Sequence, residues 1–281
     1  MKIISSAKSL QKLITGLKLR KKSVGFVPTM GALHEGHLSL VRRCRKENDI
    51  TVVSIFVNPK QFGPKEDLAC YPREEKKDQI LLKKEKIDIL FRPSVEEVYP
   101  KNYLTFVDVQ EYDTHLCGRL RPGHFKGVAT VVCKLLNIVL PDQIYLGQKD
   151  AQQVVILKKM IADLNFLVQT KVCPTVREKD GLAMSSRNLY LNQQERQEAP
   201  ILYQAIKEAQ KNIHSGLRQS SKIIQKIKHT IQKNSSGMIN YIECVDAQNL
   251  KPLHIIKGRV LIALSVSFRS TQLIDNIIVT I

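Results

Sequence analysis

Residues 23–37 read Ser-Val-Gly-Phe-Val-Pro-Thr-Met-Gly-Ala-Leu-His-Glu-Gly-His. The run Ser23 to Val27 is short and apolar and ends at Pro28. A turn of small residues follows, and a helix opens near Gly36, with Leu38, Val41 and Cys44 spaced by three. This strand, turn and helix set the pattern for the first half of the chain. Ile50 to Val57 is nearly continuous and β-branched, as expected of a strand covered on both faces. Ile87 to Phe91, Gln143 to Leu146 and Phe166 to Val172 read as further strands. Between them, Val128, Val131, Val132, Leu135 and Leu136 follow helical spacing, and so do Val154, Leu157 and Ile161. Alternating strands and helices predict an α/β fold, a parallel sheet with helices on both faces.

The pattern changes near residue 180. A polar, turn-rich segment runs from Arg177 to Asn188. Two amphipathic helices follow, one with Leu202, Ala205, Ile206, Ala209 and Ile213 on a face, the other with Ile223, Ile224, Ile227 and Ile231. Three strand-like runs close the chain: Met238 to Val245, Val260 to Val266 and Ile274 to Ile281. Helices first and strands after predict a smaller α+β domain. The expected division is 1–176 and 177–281, and about two domains also suit the length of 281 residues.

Composition narrows the function classes. Hydrophobic residues make up 43 % and charged residues 25 %, which excludes a wholly disordered chain. The net charge of +18 suggests a polyanionic partner. Its distribution argues against nucleic acid: 29 basic and 18 acidic residues lie in 1–175, against 15 and 8 in 176–281, so no basic arm exists. Aromatics are only 6 %, without Trp, which leaves little to stack on bases. The six cysteines, at 44, 70, 117, 133, 173 and 244, show no metal-ligand spacing. The first 19 residues lack the continuous apolar stretch of a signal peptide, and no run approaches a membrane span. A reducing cytoplasm is the expected setting, with no nucleic-acid or membrane partner.

Two segments carry chemistry. In Pro28 to His37, glycine lets backbone approach a phosphate, and a helix N-terminus offers free N–H groups to an anion. His34 and His37, three apart, face one way and suit stabilisation of charge on a phosphate under in-line attack. A zinc site is disfavoured because no third ligand is suggested. In Gly181-Leu182-Ala183-Met184-Ser185-Ser186-Arg187-Asn188, two hydroxyls and an Arg in a glycine-led loop can clamp a triphosphate. Together the two segments resemble the H-I-G-H and K-M-S-K-S pair of the class I nucleotidyltransferase superfamily.

The resemblance narrows further. The stretches V-P-T-M-G-A-L-H-E-G-H (27–37), V-S-I-F-V-N-P-K-Q-F-G-P (53–64), D-L-A-C-Y-P-R (67–73), R-P-G-H-F-K-G-V-A-T-V-V (121–132), L-G-Q-K-D-A-Q-Q (146–153) and D-G-L-A-M-S-S-R-N (180–188) resemble, in order, those of the pantoate–β-alanine ligases. That resemblance implies a Rossmann-like first domain and a smaller second one. It implies that ATP and pantoate give pantoyl adenylate and pyrophosphate, and that β-alanine then gives pantothenate and AMP. Mg²⁺ with the ATP and a homodimer are also implied.

The resemblance carries roles onto residues. Met30, Gly31, Ala32, Leu33, His34, Glu35, Gly36 and His37 would bind ATP, with His37 as general acid and His34 beside it. Gly147, Gln148, Lys149 and Asp150 would bind the nucleotide, Lys149 toward phosphate and Asp150 near the ribose or the metal, whose ligands stay open. Val176 would contact adenine by its backbone, and Met184, Ser185, Ser186 and Arg187 would close over the triphosphate. Gln61 and Gln153 would hold pantoate, Gln61 also lying by β-alanine. Amides suit this, because they bond hydroxyls and carboxylates while leaving the carboxylate nucleophilic. The side chains of Gln148 and Gln152 are read as surface. Arg121 and His124 either bind a phosphate or brace their loop. Gln148 stands where the family usually has an acid, which removes a negative charge beside the phosphate site. The site is expected between the domains, with the 180–188 loop as one wall.

Two alternatives differ in their tests. Another H-x-G-H nucleotidyltransferase, acting on a phosphorylated substrate, would favour basic residues at 61 and 153, where this chain has Gln. A nucleic-acid-binding protein would need a localised basic stripe and steep salt dependence.

Overall fold

A computed structural model describes residues 1–64, 66 and 68–281; Asp67, in the 67–73 stretch, lies outside the described residues. The elements, in chain order, are β1 (Lys2–Ile4), α1 (Ala7–Leu19), β2 (Val24–Thr29), α2 (Glu35–Glu47), β3 (Ile50–Ile55), α3 (Glu75–Lys84), β4 (Ile89–Phe91), α4 (Val95–Val98), α5 (Leu116–Leu120) and α6 (His124–Val139). Then come β5 (Gln143–Gly147), α7 (Ala151–Asp163), β6 (Gln169–Cys173), α8 (Gln193–Glu198), α9 (Ile201–His214), α10 (Ser220–Asn234), β7 (Met238–Asp246), β8 (Arg259–Phe268) and β9 (Thr271–Thr280). Single 3-10 turns lie at Pro59–Gln61, Gln148–Asp150 and Ser186–Tyr190. The chain forms two compact units, 1–113 with 121–174, and 114–120 with 175–281.

In the first unit six strands pair in the order β1-β4-β3-β2-β5-β6, all parallel. Successive side chains divide between the two faces, as a pleated strand requires. Phe26, Val52, Ile89 and Ile144 enter one core with residues of α1, α6 and α7. Their neighbours Val27, Val53, Leu90 and Tyr145 enter another with Val41, Cys44 and Leu82 of α2 and α3. The sheet is thus doubly wound, as the strand-helix alternation predicts. Elements β1, α1, α3, α4, α5 and α8 are not marked by the patterns read in the sequence. The three-residue edge strand β1 is too short to show a period. Helix α3 is so rich in charge that its buried face reduces to Asp78 and Leu82.

The chain walks outward from β2 through β3 to β4, then returns to lay β5 on the other side of β2. That reversal is where ligands collect in open parallel sheets, beyond the carboxyl ends of the strands. The turns leaving β2, β3 and β5 are residues 30–34, 56–61 and 148–150.

In the second unit α9 and α10 bury the faces read from their spacing, and pack on an antiparallel sheet ordered β7-β8-β9. Helix α5 clusters here too. Arg119 pairs with Glu243 at 2.9 Å, and the Tyr241 hydroxyl donates to Cys117 Sγ at 3.6 Å.

Candidate active site

The turn after β2 is held from inside the protein. Thr29 Oγ1 donates to the Ser54 carbonyl at 2.7 Å and accepts the Gly31 amide at 3.3 Å. Gly31 and Ala32 both have positive φ, +86° and +49°. Glycine takes that conformation freely, and alanine does so only where the surroundings enforce it. The enforcing group is Asp78 of α3, whose carboxylate accepts the Leu33 amide at 2.8 Å and the Ala32 amide at 2.9 Å.

The histidines finish the turn. His34 is the N-cap of α2, and its Nδ1 accepts the Gly36 amide at 3.2 Å; His37 Nδ1 reaches back to the His34 amide at 3.4 Å. The helix start is therefore already capped, and the expected row of free N–H groups is not present. Amides of Gly31, Ala32, Leu33, His34 and Gly36 all have internal acceptors. The two imidazole rings lie against each other, 4.1 Å between centroids. With each Nδ1 an acceptor, the proton of each neutral ring sits on Nε2, giving two donors. Burial, followed by the positive charge of Lys149, lowers the His34 pKa to about 4. Burial, then His34, lowers that of His37 to about 3, while Asp150 opposes both shifts. Both rings are neutral at physiological pH.

Lys149 and Asp150 come from the turn after β5, with Nζ 3.6 Å from Oδ1. Their charges act on both imidazoles, so the β2 and β5 turns form one electrostatic site. A Cβ added to Gly147 would meet nothing within 4 Å, leaving open space at the end of β5. Gln153 follows on the first turn of α7, half-buried. Neither neighbouring amide is a surface residue: Gln148 is half-buried, and Gln152 is 6 % exposed and donates to the Tyr112 carbonyl at 2.9 Å. The periodicity of α7 shows why, since Gln152 stands four residues before the core residue Ile156.

The turn after β3 carries Gln61, 8 % exposed. Its Oε1 accepts from Asn58 Nδ2 at 3.0 Å, and its Nε2 lies 2.9 Å from Met30 Sδ. Sulfur is a weak acceptor, so a ligand oxygen would displace it readily. Asn58 is itself pinned. It donates to the Gly127 carbonyl at 3.0 Å and accepts from the Tyr99 hydroxyl at 2.8 Å. Helix α6 reaches this turn only because residue 127 lacks a side chain: a Cβ there would lie 2.2 Å from the Lys60 carbonyl oxygen.

Arg121 and His124 brace. Arg121 forms a two-pronged ion pair with Glu66 and contacts His124 Nε2 at 3.3 Å, while His124 Nδ1 lies 2.8 Å from the Gln61 carbonyl. A carbonyl can only accept, so Nδ1 carries the proton and Nε2 accepts from Arg121. Glu66, Asn58, Tyr99 and Gly127 thus support Gln61. None of them is marked by residue type; Asn58 and Gly127 lie in the resembling stretches, and Glu66 and Tyr99 lie outside them.

Within the second unit, the 176–188 loop folds on itself. Met184 donates to the Val176 carbonyl at 3.0 Å, Ser185 Oγ accepts the Arg187 amide at 3.3 Å, and Asn188 Nδ2 donates to the Ala183 carbonyl at 3.1 Å. Arg177 anchors the loop by two bonds to Asp275, at 2.7 and 2.9 Å, and by stacking 3.7 Å over Tyr203. This anchor lies 98 residues apart in sequence and is invisible there.

Comparison with known proteins identifies the family. Residues 2–278 match the family model described as Pantoate-beta-alanine ligase. The chain is similar to a pantothenate synthetase of Thermotoga petrophila, 51 % identical over 278 residues and covering 99 % of both chains. It is similar also to one of Acetivibrio thermocellus, 50 % identical over 281 residues and the whole of both. Among solved structures, the pantothenate synthetase of Thermus thermophilus superposes with a TM-score of 0.93 at 40 % identity, covering 99 % of each chain. A pantoate-beta-alanine ligase from Francisella tularensis, complexed with beta-gamma ATP and beta-alanine, gives 0.81 at 35 % identity, covering 99 % of this chain and 97 % of that one.

Proposed function

The chain belongs to the pantoate-beta-alanine ligase family, and from that premise we propose how its residues divide the work of joining pantoate to β-alanine at the expense of ATP. The pantoate carboxylate attacks the α-phosphorus of ATP, forming the acyl adenylate and releasing pyrophosphate. The neutral amine of β-alanine then attacks the activated carbonyl, the amine loses a proton, and AMP leaves with the electrons of the broken C–O bond. The match over residues 2–278 favours this reading over another H-x-G-H nucleotidyltransferase.

In this scheme His34 and His37 donate from Nε2 to phosphate oxygens, and Lys149 adds the positive charge that phosphoryl chemistry requires. Residues 30–33, 35 and 36 contribute the shape of the turn, their amides being largely engaged internally. Gln61 and Gln153 hold pantoate through neutral amides, with Gln61 beside β-alanine. Gly147 and Gln148 border the nucleotide, and the Val176 backbone takes the adenine. Met184, Ser185, Ser186 and Arg187 serve the triphosphate. No cluster of three or more His, Cys, Asp or Glu that could cage a metal occurs among the described residues. That suits Mg²⁺, which is commonly held by a carboxylate or two and substrate phosphates. Asp150, exposed beside Lys149, is the residue that would reach it, and the ion would neutralise phosphate charge. A homodimer in the cytoplasm completes the proposal. No helix of the described residues is long and apolar enough to cross a membrane.

The supporting observation is the meeting of the paired imidazoles with Lys149 at the β2/β5 reversal, together with a Gln61 amide whose NH₂ donates to a thioether. Exchange of labelled pyrophosphate into ATP tests it. Exchange is expected to require pantoate and to proceed without β-alanine. Exchange supported by a different acid, and not by pantoate, would overturn the substrate assignment. Replacing Gln61 with Ala removes bonds to a charged substrate, so KM for pantoate and β-alanine should rise roughly 10–100-fold. ATP affinity should hardly move; an equal loss for ATP would show that Gln61 serves the nucleotide instead.

A further inference from the structure

Asp78 belongs to none of the stretches that carry the family resemblance. It follows a run of charged residues, Glu74-Glu75-Lys76-Lys77, where a solvated side chain would be expected, yet it is 1 % exposed. Among the described residues, its oxygens are not spent on a lysine or a helix cap. Oδ1 takes the amide of Leu33 and Oδ2 that of Ala32, two consecutive backbone groups of the turn that ends at His34. Carboxylates that accept paired amides hold them in a fixed orientation, because both bonds must be satisfied together. The turn requires such a hold. Ala32 sits at φ +49°, a region an alanine leaves when unconstrained. Space is tight as well: a Cβ on Gly31 would approach Asp78 Oδ2 to 3.0 Å and Ile55 Cγ2 to 3.1 Å. Leu33 immediately precedes the N-cap, so the position of its amide sets where the His34 ring and, through the reciprocal cap, the His37 ring point.

We propose that Asp78 is a positioning residue for the nucleotide: its carboxylate clamps the Ala32–Leu33 turn and thereby aims the His34–His37 imidazole pair at the phosphates. The proposal rests on the reading of those histidines as ATP ligands. It assigns α3, which carries none of the resembling stretches itself, a direct part in selecting the geometry of the site.

Amide hydrogen exchange and steady-state kinetics on the full chain provide the test. In the wild-type protein the Ala32 and Leu33 amides should be protected. Asp78→Asn keeps the shape but sets an amide NH₂ against a backbone N–H. Exchange at residues 32 and 33 should then accelerate at least about tenfold, the β3 and β5 amides staying as they were. A displacement of this kind should lower kcat/KM for ATP by roughly 10²-fold. KM for β-alanine should stay within about threefold, because no bond to that substrate is changed. Asp78→Glu, which retains the charge but is too long for the space beside Gly31, should give the same ATP-selective loss and carries the test if the Asn variant does not fold. Unprotected wild-type amides at 32 and 33, wild-type use of ATP by either variant, or an even loss for all three substrates with exchange raised everywhere would overturn the proposal. Failure of the ligase reading is distinct, since it would appear as wild-type pyrophosphate exchange that ignores pantoate while residues 32 and 33 remain protected.

Discussion

Replacing His37 by alanine should slow turnover by roughly 10²–10³-fold, the scale for removing one preorganised donor from a developing charge. The loss should fall on kcat, because a donor that tightens in the transition state contributes little to ground-state binding. The same substitution removes the acceptor for the His34 amide, a capping loss of about 1 kcal/mol. His37→Asn, whose Oδ1 can still accept that amide, separates the two effects: it should regain stability without regaining the rate. Wild-type-like turnover of the alanine variant would show that this ring is not part of the chemistry. The pH dependence follows from the same geometry. Both rings have folded pKa values below the ordinary 6.5, about 4 for His34 and about 3 for His37. Their contribution to stability is therefore complete above pH 6.5 and is lost as pH falls through the folded values, since only the unfolded chain takes up protons freely in between. A rate profile that breaks at pH 6.5 in the free protein would contradict neutral Nε2–H donors.

Gly127→Ala should be the most damaging change outside the ligand-facing residues. Its Cβ would lie 2.2 Å from the Lys60 carbonyl oxygen and 2.7 Å from Gln61 Cα, both backbone, so no side-chain rotation can relieve it. The helix and the 59–61 turn must separate, which also stretches the Asn58 bond to the Gly127 carbonyl. Overpacking of this kind costs about 1–3 kcal/mol, partly offset by the better helix propensity of alanine, about 1 kcal/mol. Function should suffer more than stability. A shift of about 1 Å at Gln61 is enough for a loss near 10²-fold in kcat/KM for pantoate. ATP binding, assigned above to the β2 and β5 turns, should be far less affected. Thermal unfolding together with substrate-resolved kinetics checks this, and an alanine variant with normal pantoate use would show that α6 and the turn can part without consequence.

The two variants probe features of unequal legibility. His37 stands out in the chain because an H-x-G-H element after an apolar strand is a rare conjunction with a chemical reason. Gly127 is one glycine among thirteen, and nothing in its neighbours announces that a carbonyl presses against it. Asp78 is harder still, since its charged surroundings describe a solvated helix. Arg121 and His124 could be singled out by type, but only their bonds to Glu66 and to the Gln61 carbonyl show that they brace.

Local order explains what the amino-acid sequence determined by itself. Strand and helix periods, turn residues and the order of elements are set by side chains within a few positions of one another. They were enough for a doubly wound parallel sheet, for the helices and strands that follow it, and for the turns that bear the ligand-facing residues. Family resemblance then supplied the reaction. Tertiary structure alone decided how those turns are held. The amides that looked free at the start of α2 are capped by the histidines themselves, and the bend before them is fixed by a carboxylate 45 residues away from Leu33. Such contacts join positions whose separation in sequence carries no period, so only the folded chain, by excluding water and bringing buried donors to buried acceptors, reveals which polar residue answers which amide.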